Sequence, residues 1–263
     1  MTGLAAGVAK LADAQGLGPC SARSVGSSPS ARTRMKIDIQ FSPGANDWPA
    51  LRDAILRAEA EGYDTTWVFD HFDGEMIQGD RPMLECFTLL GALSVATTTI
   101  GLGTLVANVA NRHPAVLAAA ASSVQRISGG RLTLGLGAGT APNSKWSGEH
   151  LARGIPLSDG IADRHAAVEE QVRHIRSLPE PMPIIIGVNS VRLATLAGQI
   201  ADGINVRMTS ERADDFVKAA RDAAGDRAFE ISGWTFDETD DVRDESRELG
   251  LDRLVLTRLG PIT

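Results

Sequence analysis

From residue 35 onward, short apolar runs alternate with longer stretches whose apolar positions recur every three or four residues. The runs at 36–41, 65–69, 100–106, 131–135, 183–187, 203–206, 229–234 and 253–257 are rich in β-branched residues and bounded by Gly and Pro. They are too short for helices and predict strands. The stretches at 47–61, 82–96, 114–127, 161–177, 190–200, 210–223 and 240–249 predict helices. Asp47 is the expected N-cap of the first and Gly62 its stop; Ser190 caps the fifth, which carries Leu193, Leu196, Ala197 and Ile200 on one stripe.

Strict alternation of this kind predicts parallel strands joined by crossover helices, and eight such units close most naturally into a compact TIM-like (β/α)8 barrel lacking the last helix. A doubly wound open sheet is the second architecture. The segment 99–139 is the most informative. Two strands apolar at consecutive positions flank a helix opened by Pro114, with His113 just before it and Gly129-Gly130 after it, as expected for strands covered on both sides. In such folds ligands bind beyond the carboxyl ends of the strands.

The 263 residues, 43% apolar and 22% charged, suffice for one sizeable domain, placed at 35–263. A net charge of -7 with no Lys/Arg cluster argues against a nucleic-acid partner. Cys20 and Cys86 cannot build a disulfide framework or a metal cluster, and Cys86, amid apolar residues, is expected in the core. No apolar run approaches the roughly 20 residues that span a bilayer, so a soluble, cytoplasmic protein is expected. Residues 1–34 have no sustained period and are expected to be a disordered extension. Their Arg and Ser content allows an organellar transit peptide. The stretch VAKLADAQGLGPCSARSVGSSP also resembles the conceptual translation of a transfer-RNA gene, which places the expected start at Met35.

Three strand ends carry candidate chemistry. Asp70-His71-Phe72-Asp73 follows the second strand and offers an imidazole able to pass protons near neutral pH, with carboxylates close by; a loop-ordering hydrogen bond is the plainer alternative. Gly135-Leu136-Gly137-Ala138-Gly139 lets the backbone approach a ligand closely, but Thr140 and Pro142 stand where the dinucleotide fingerprint needs its third glycine. Asn143, Ser144, Lys145 and Trp146 then supply polar and stacking groups. Gly187-Val188-Asn189-Ser190 leads into a helix N-terminus, suited to an anion, although capping alone accounts for Ser190. His150, His165 and His174 lack zinc-site spacing, so no metal is expected. There is no nucleophile elbow and no Walker loop. His165 and His174 are expected on a solvated helix face, and Trp48, Trp67 and Trp234 in the core or at its rim.

Strand 1 with its helix, TTWVFDHF, GLGTLV followed by RHPAVLAAAASSVQRISGGRLTLGLGAG, and PIIIGVNSVRLATLAGQIADGIN together resemble the bacterial luciferase-like family, in particular its branch using the deazaflavin coenzyme F420. The resemblance implies a TIM-like barrel and an oxidoreductase transferring a hydride between F420 and a small organic substrate. It places Asp70 and His71 against the ring, with His71 taking or giving the accompanying proton. It puts a non-proline cis peptide near Thr104, Leu105 and Val106, and implies that Gly137, Gly139 and Asn143 line the cofactor. Gly187, Val188, Asn189, Ser190 and Val191 would hold its phosphate, and a homodimer would form through helices 2 and 3. Thr140 stands where the sugar-phosphate dehydrogenases of the family have a glutamate, which weakens that substrate class. The short connection 178–183 omits an insertion common in the family. FMN, in a luciferase-like monooxygenase, is the alternative cofactor, and a non-catalytic flavin-binding protein the alternative class.

Overall fold

Asp47, Gly62 and Ser190 bound the first and the fifth predicted helices as the sequence predicts. Asp47 accepts the N–H of Ala50 at 3.0 Å, Gly62 ends the same helix at φ 85°, and the Ser190 hydroxyl accepts the N–H of Leu193 at 3.3 Å. The computed structural model describes residues 34–74, 79 and 82–262. The expectations for residues 1–33, including Cys20, lie outside the described residues.

The chain runs β1 (Lys36–Phe41), α1 (Trp48–Glu61), β2 (Thr65–Val68), α2 (Cys86–Ala96), β3 (Gly101–Thr104), β4 (Ala107–Asn108), α3 (Pro114–Ile127), β5 (Leu132–Gly137), α4 (Gly148–Leu151), α5 (Ile161–Arg176), β6 (Ile184–Gly187), α6 (Val191–Ile200), β7 (Gly203–Arg207), α7 (Ala213–Ala224), β8 (Glu230–Thr235), α8 (Asp240–Glu248) and β9 (Arg253–Arg258). The sheet order is β3-β2-β1-β9-β8-β7-β6-β5-β4, every pair is parallel, and β3 also pairs with β5 through Leu102↔Leu132 and Gly103↔Thr133. That last pairing closes an eight-stranded TIM barrel, with β4 a two-residue continuation beyond β3.

Several expectations are corrected. The strand predicted at 100–106 is broken at a cis peptide between Leu105 and Val106, and pairing resumes at Ala107. β5 continues to Gly137, because Ala107 and Asn108 pair with Leu136 and Gly137. α2 begins at Cys86, since the Glu85 carboxylate accepts the N–H of Thr88 at 2.7 Å and caps the helix there. The four-residue α4 is too short to show a period. His165 is 5% exposed, on the same inward stripe of α5 as Val168, Val172 and Ile175, so it does not belong to a solvated face.

Two apolar layers hold the barrel. The larger lies between strands and helices and includes Leu51, Leu90, Leu117, Leu134, Ile186, Ala197 and Leu254. The smaller fills the barrel with Trp67, Leu105, Ile185 and Val255, against which Val106 and Trp234 pack. Below it the interior is ionic. Arg253 donates to Asp38 Oδ2 at 2.5 Å, to Thr65 Oγ1 at 2.7 Å and to Glu230 Oε1 at 2.9 Å, while Trp67 Nε1 donates to Asp38 Oδ2 at 2.6 Å. Burial pushes the Asp38 carboxyl up to about 6 despite the opposing Arg253 charge. Cys86 is buried in the outer layer, and burial raises its thiol well above the usual range. No helix among the described residues is long and apolar enough to cross a membrane.

Candidate active site

The alternation of β1 turns Asp38 and Gln40 into the barrel while Ile39 packs outside. Gln40 Nε2 donates to the Leu105 carbonyl at 3.0 Å, and Thr257 Oγ1 donates to Gln40 Oε1 at 3.0 Å. The amide of Leu105 donates to Val68 O at 2.9 Å. The end of β3 is therefore held from β1, β2 and β9 together. The Val106 side chain then lies over glycines of β5 and β6. A Cβ at Gly137 would sit 2.5 Å from Val106 Cγ2, and one at Gly187 would sit 2.9 Å from Val106 Cγ1. These glycines make room for an isopropyl wall at the mouth. Gly139, at φ 70°, passes close to the Asn108 side chain.

Asp70, buried at the end of β2, ties this wall to the next loop. Its carboxylate accepts the N–H of Asn108 at 2.9 Å and both terminal nitrogens of Arg112, at 2.7 and 2.8 Å, and its carbonyl accepts from Asn111 Nδ2 at 3.0 Å. Arg112 also pairs with Glu85. Bidentate pairing of this kind fixes position as well as charge.

His71 turns the other way. Its carboxylate partner is neither Asp70 nor Asp73 but Glu149 of α4, whose Oε1 lies 2.6 Å from His71 Nδ1. Glu149 Oε2 accepts the amides of Phe72 at 2.7 Å and Asp73 at 3.2 Å, and its side chain is 1% exposed. Burial alone would raise this carboxyl. The His71 hydrogen bond and charge, with the Phe72 and Asp73 amides, outweigh burial and hold it below the usual carboxylate range. With Nδ1 engaged, Nε2 is the ring nitrogen left to the mouth, and among the described residues nothing hydrogen-bonds it. Trp146 stands beside the imidazole, ring centroids 6.3 Å apart. Asp73 binds Arg153 at 2.7 Å. His150, buried behind Glu149, has Nε2 at 2.8 Å from Asn111 Oδ1 and 3.0 Å from Asn108 Nδ2.

Across the mouth, Gly187 ends β6 and the chain turns into α6. Val188 packs into the outer core, Asn189 and Val191 are exposed, and Ser190 caps the helix. The amides of Val191 and Arg192 lie in the first turn, where a helix has no acceptor of its own for them, so this corner can take an anion. Asn143 is exposed on the loop after β5, where the Thr140 and Ser144 hydroxyls pair. The structure thus brings Asp70, His71, Val106, Gly137, Gly139 and Gly187 to one end of the barrel, while the Asn143 side chain has no hydrogen-bond partner among the described residues. Among the described residues no His, Cys, Asp and Glu group is arranged to hold a metal.

Sequence reasoning missed Glu149, Arg112 and Gln40. The strict alternation of Ile37, Asp38, Ile39 and Gln40 is a signal for two polar groups inside the barrel. Glu149 carries no such signal, because a four-residue helix has no period and its partner is 78 residues away.

A family profile described as luciferase-like monooxygenase matches residues 28–233. The 5,10-methylenetetrahydromethanopterin reductase of Archaeoglobus fulgidus is 27% identical over 238 residues, covering 81% of this chain and 67% of that enzyme. The F420-dependent glucose-6-phosphate dehydrogenase of Nakamurella multipartita is 27% identical over 247 residues, covering 81% of this chain and 66% of that enzyme. The chain thus spans about two thirds of the length of these curated relatives. Among solved structures, an F420-dependent secondary alcohol dehydrogenase bound to an F420-acetone adduct superposes with a TM-score of 0.69 at 18% identity, over 86% of this chain and 94% of that one. The coenzyme F420 dependent tetrahydromethanopterin reductase of Methanopyrus kandleri gives 0.67 at 15% identity, over 87% and 95%. At such identities the likeness is one of fold. The family profile covers most of the chain, from ahead of β1 into β8, and on that ground this chain belongs to the luciferase-like monooxygenase family.

Proposed function

We propose that this protein is an F420-dependent oxidoreductase that exchanges a hydride between the deazaflavin and a small organic substrate. The observation that carries the reading is the His71–Glu149 pair, which engages Nδ1 and leaves Nε2 without a partner among the described residues, at the same end of the barrel as Val106 seated over glycines. The names of the curated relatives favour F420 over FMN. The residues suit such a cofactor. Val106 offers an apolar face for a flat ring, and its glycine cradle keeps side chains out of the way. The first turn of α6, with Asn189 and Ser190, offers donors for a phosphate.

When bound, the deazaflavin supplies a carbon that accepts or donates hydride. The protein's residues do the rest. Gln40 and Thr257 hold the Leu105 carbonyl and so fix the wall, while Asp70 with Arg112 locks the loop behind it. Glu149 keeps the His71 ring in place, and His71 Nε2 takes or gives the proton that accompanies hydride transfer. α2 is apolar on all sides, and Val95 of α2 with Val116 and Ile127 of α3 remains exposed, which favours a homodimer through these helices.

Fluorescence titration tests the cofactor: F420 is expected to bind more tightly than FMN, and a clear preference for FMN overturns the assignment. His71→Ala is expected to lower turnover by ~10² or more with little change in F420 affinity. Normal turnover would make His71 a structural loop residue, and F420 binding without turnover on a broad substrate panel would favour a binding protein.

A further inference from the structure

The mouth has a second chemical pole. Arg207 is the last residue of β7, on the same inward-facing side of the strand as Asn205, whose side-chain amide donates to Ser232 Oγ inside the barrel at 3.0 Å. Its cross-strand partner is Trp234, and the guanidinium lies 5.1 Å from the Trp234 ring and 5.9 Å from that of Phe236. The two rings meet edge to face at 5.2 Å. Arg207 is exposed, and among the described residues it has no ion pair and no side-chain hydrogen bond. Its neighbour Arg258 is occupied, donating to Glu238 at 3.2 Å and to the Phe236 carbonyl at 3.1 Å. Beside this platform a cavity of about 470 Å³ opens between the ends of β8 and β9, lined by Phe236, Thr257 and Arg258 among others. β2, whose following loop carries His71, reaches β7 through β1, β9 and β8 one way and through β3, β5 and β6 the other. Arg207 and His71 therefore stand at opposite poles of the mouth.

We propose that Arg207 recognises an anionic group, a carboxylate or phosphate, on the substrate that reacts at His71, with an apolar or aromatic part of that substrate lying against Trp234 and Phe236. The cation–π contacts with the two rings hold the guanidinium in place and leave its N–H donors, unbonded among the described residues, to bind an oxyanion. A cation kept at the mouth without an ion pair among the described residues rewards an anion that arrives. The proposal rests on the oxidoreductase reading for the substrate's reaction, but anion recognition by Arg207 can be measured without turnover.

The test uses the full chain and two probes of similar shape, benzoate and benzyl alcohol, titrated calorimetrically. The wild type is expected to bind benzoate roughly tenfold more tightly than the alcohol, the scale of a charge-assisted pair. Arg207→Met should abolish that preference while changing affinity for benzyl alcohol by less than about twofold, and Arg207→Lys should restore part of it. Arg207→Gln is the second neutral variant should the Met protein fail to fold. No benzoate preference in the wild type, or an unchanged preference in the neutral variants, overturns the proposal. F420 titration of the same variants separates the sources of the anion. A roughly tenfold loss of F420 affinity in Arg207→Met would assign Arg207 to the cofactor's own anionic groups and overturn the substrate assignment. A wild type that ignores F420 yet shows an Arg207-dependent benzoate preference would defeat the cofactor reading and leave the anion site standing.

Discussion

Replacing Glu149 by Gln or Ala separates two tasks that the structure gives one side chain. Oε2 satisfies the amides of Phe72 and Asp73, and Oε1 meets His71 Nδ1 at 2.6 Å. Alanine leaves both amides without their acceptor in a site that is almost fully buried. At about 1 to 3 kcal/mol for each orphaned group, the loss is roughly 2 to 6 kcal/mol, or of order 10 °C in melting temperature for a domain this size. Glutamine keeps one oxygen, and two N–H donors compete for it, so the oxygen turns to Phe72 and Asp73 and the amide NH2 turns to His71. Nδ1 must then accept, which places the ring proton on Nε2, the reverse of the arrangement in which Nδ1–H faces the carboxylate. Glu149→Gln should therefore melt within about 3 °C of the wild type while switching the His71 tautomer. Long-range ¹H–¹⁵N correlation of the imidazole reads that switch without any substrate. Turnover should fall by ~10², and the double variant with His71→Ala should be no worse than His71→Ala alone. The pH dependence has a definite sign: this carboxyl is held below its ordinary value near 4.5, so its contribution to stability is full above that value and is lost as pH falls through the lower folded value. Glu149→Gln should flatten that acid limb. An unchanged tautomer, or turnover losses that add in the double variant, would refute Glu149 as the group that orients His71.

Gly137→Ala drives a methyl into Val106, at a cost of about 1 to 3 kcal/mol; calorimetry should show the loss, and Val106→Ala in the same chain should recover most of it. Arg112→Met strips a buried carboxylate, Asp70, of its bidentate partner and should destabilise by roughly 3 kcal/mol, read by urea unfolding. Glu59, whose carboxylate accepts the amides of Thr98, Thr99 and Ile100, is held down to about 2 by those hydrogen bonds in spite of burial. Its stabilisation is present above about pH 4.5 and lost as pH falls toward 2, so Glu59→Gln should flatten the stability profile in that window.

Periodicity and end signals in the sequence determined where the strands and helices lie. Asp47, Gly62 and Ser190 act within one turn of their own positions, and Pro114 needs only its fixed φ, so these features require no knowledge of the rest of the chain. The Asp-His pair and the glycine runs mark which end of the barrel to examine. What lies beside them is a matter of closure. Strand order and the β3–β5 pairing bring α4 to β2, so Glu149 meets His71. The same closure sets Gly187 of β6 and Gly137 of β5 under Val106, between β3 and β4, and it places Arg207 on Trp234. Arg253 finds Asp38 across 215 residues because β9 pairs with β1 to seal the barrel. Local propensity is a property of neighbours in sequence. These contacts are choices among many remote partners, made only when the sheet closes and the interior must satisfy every charge it buries.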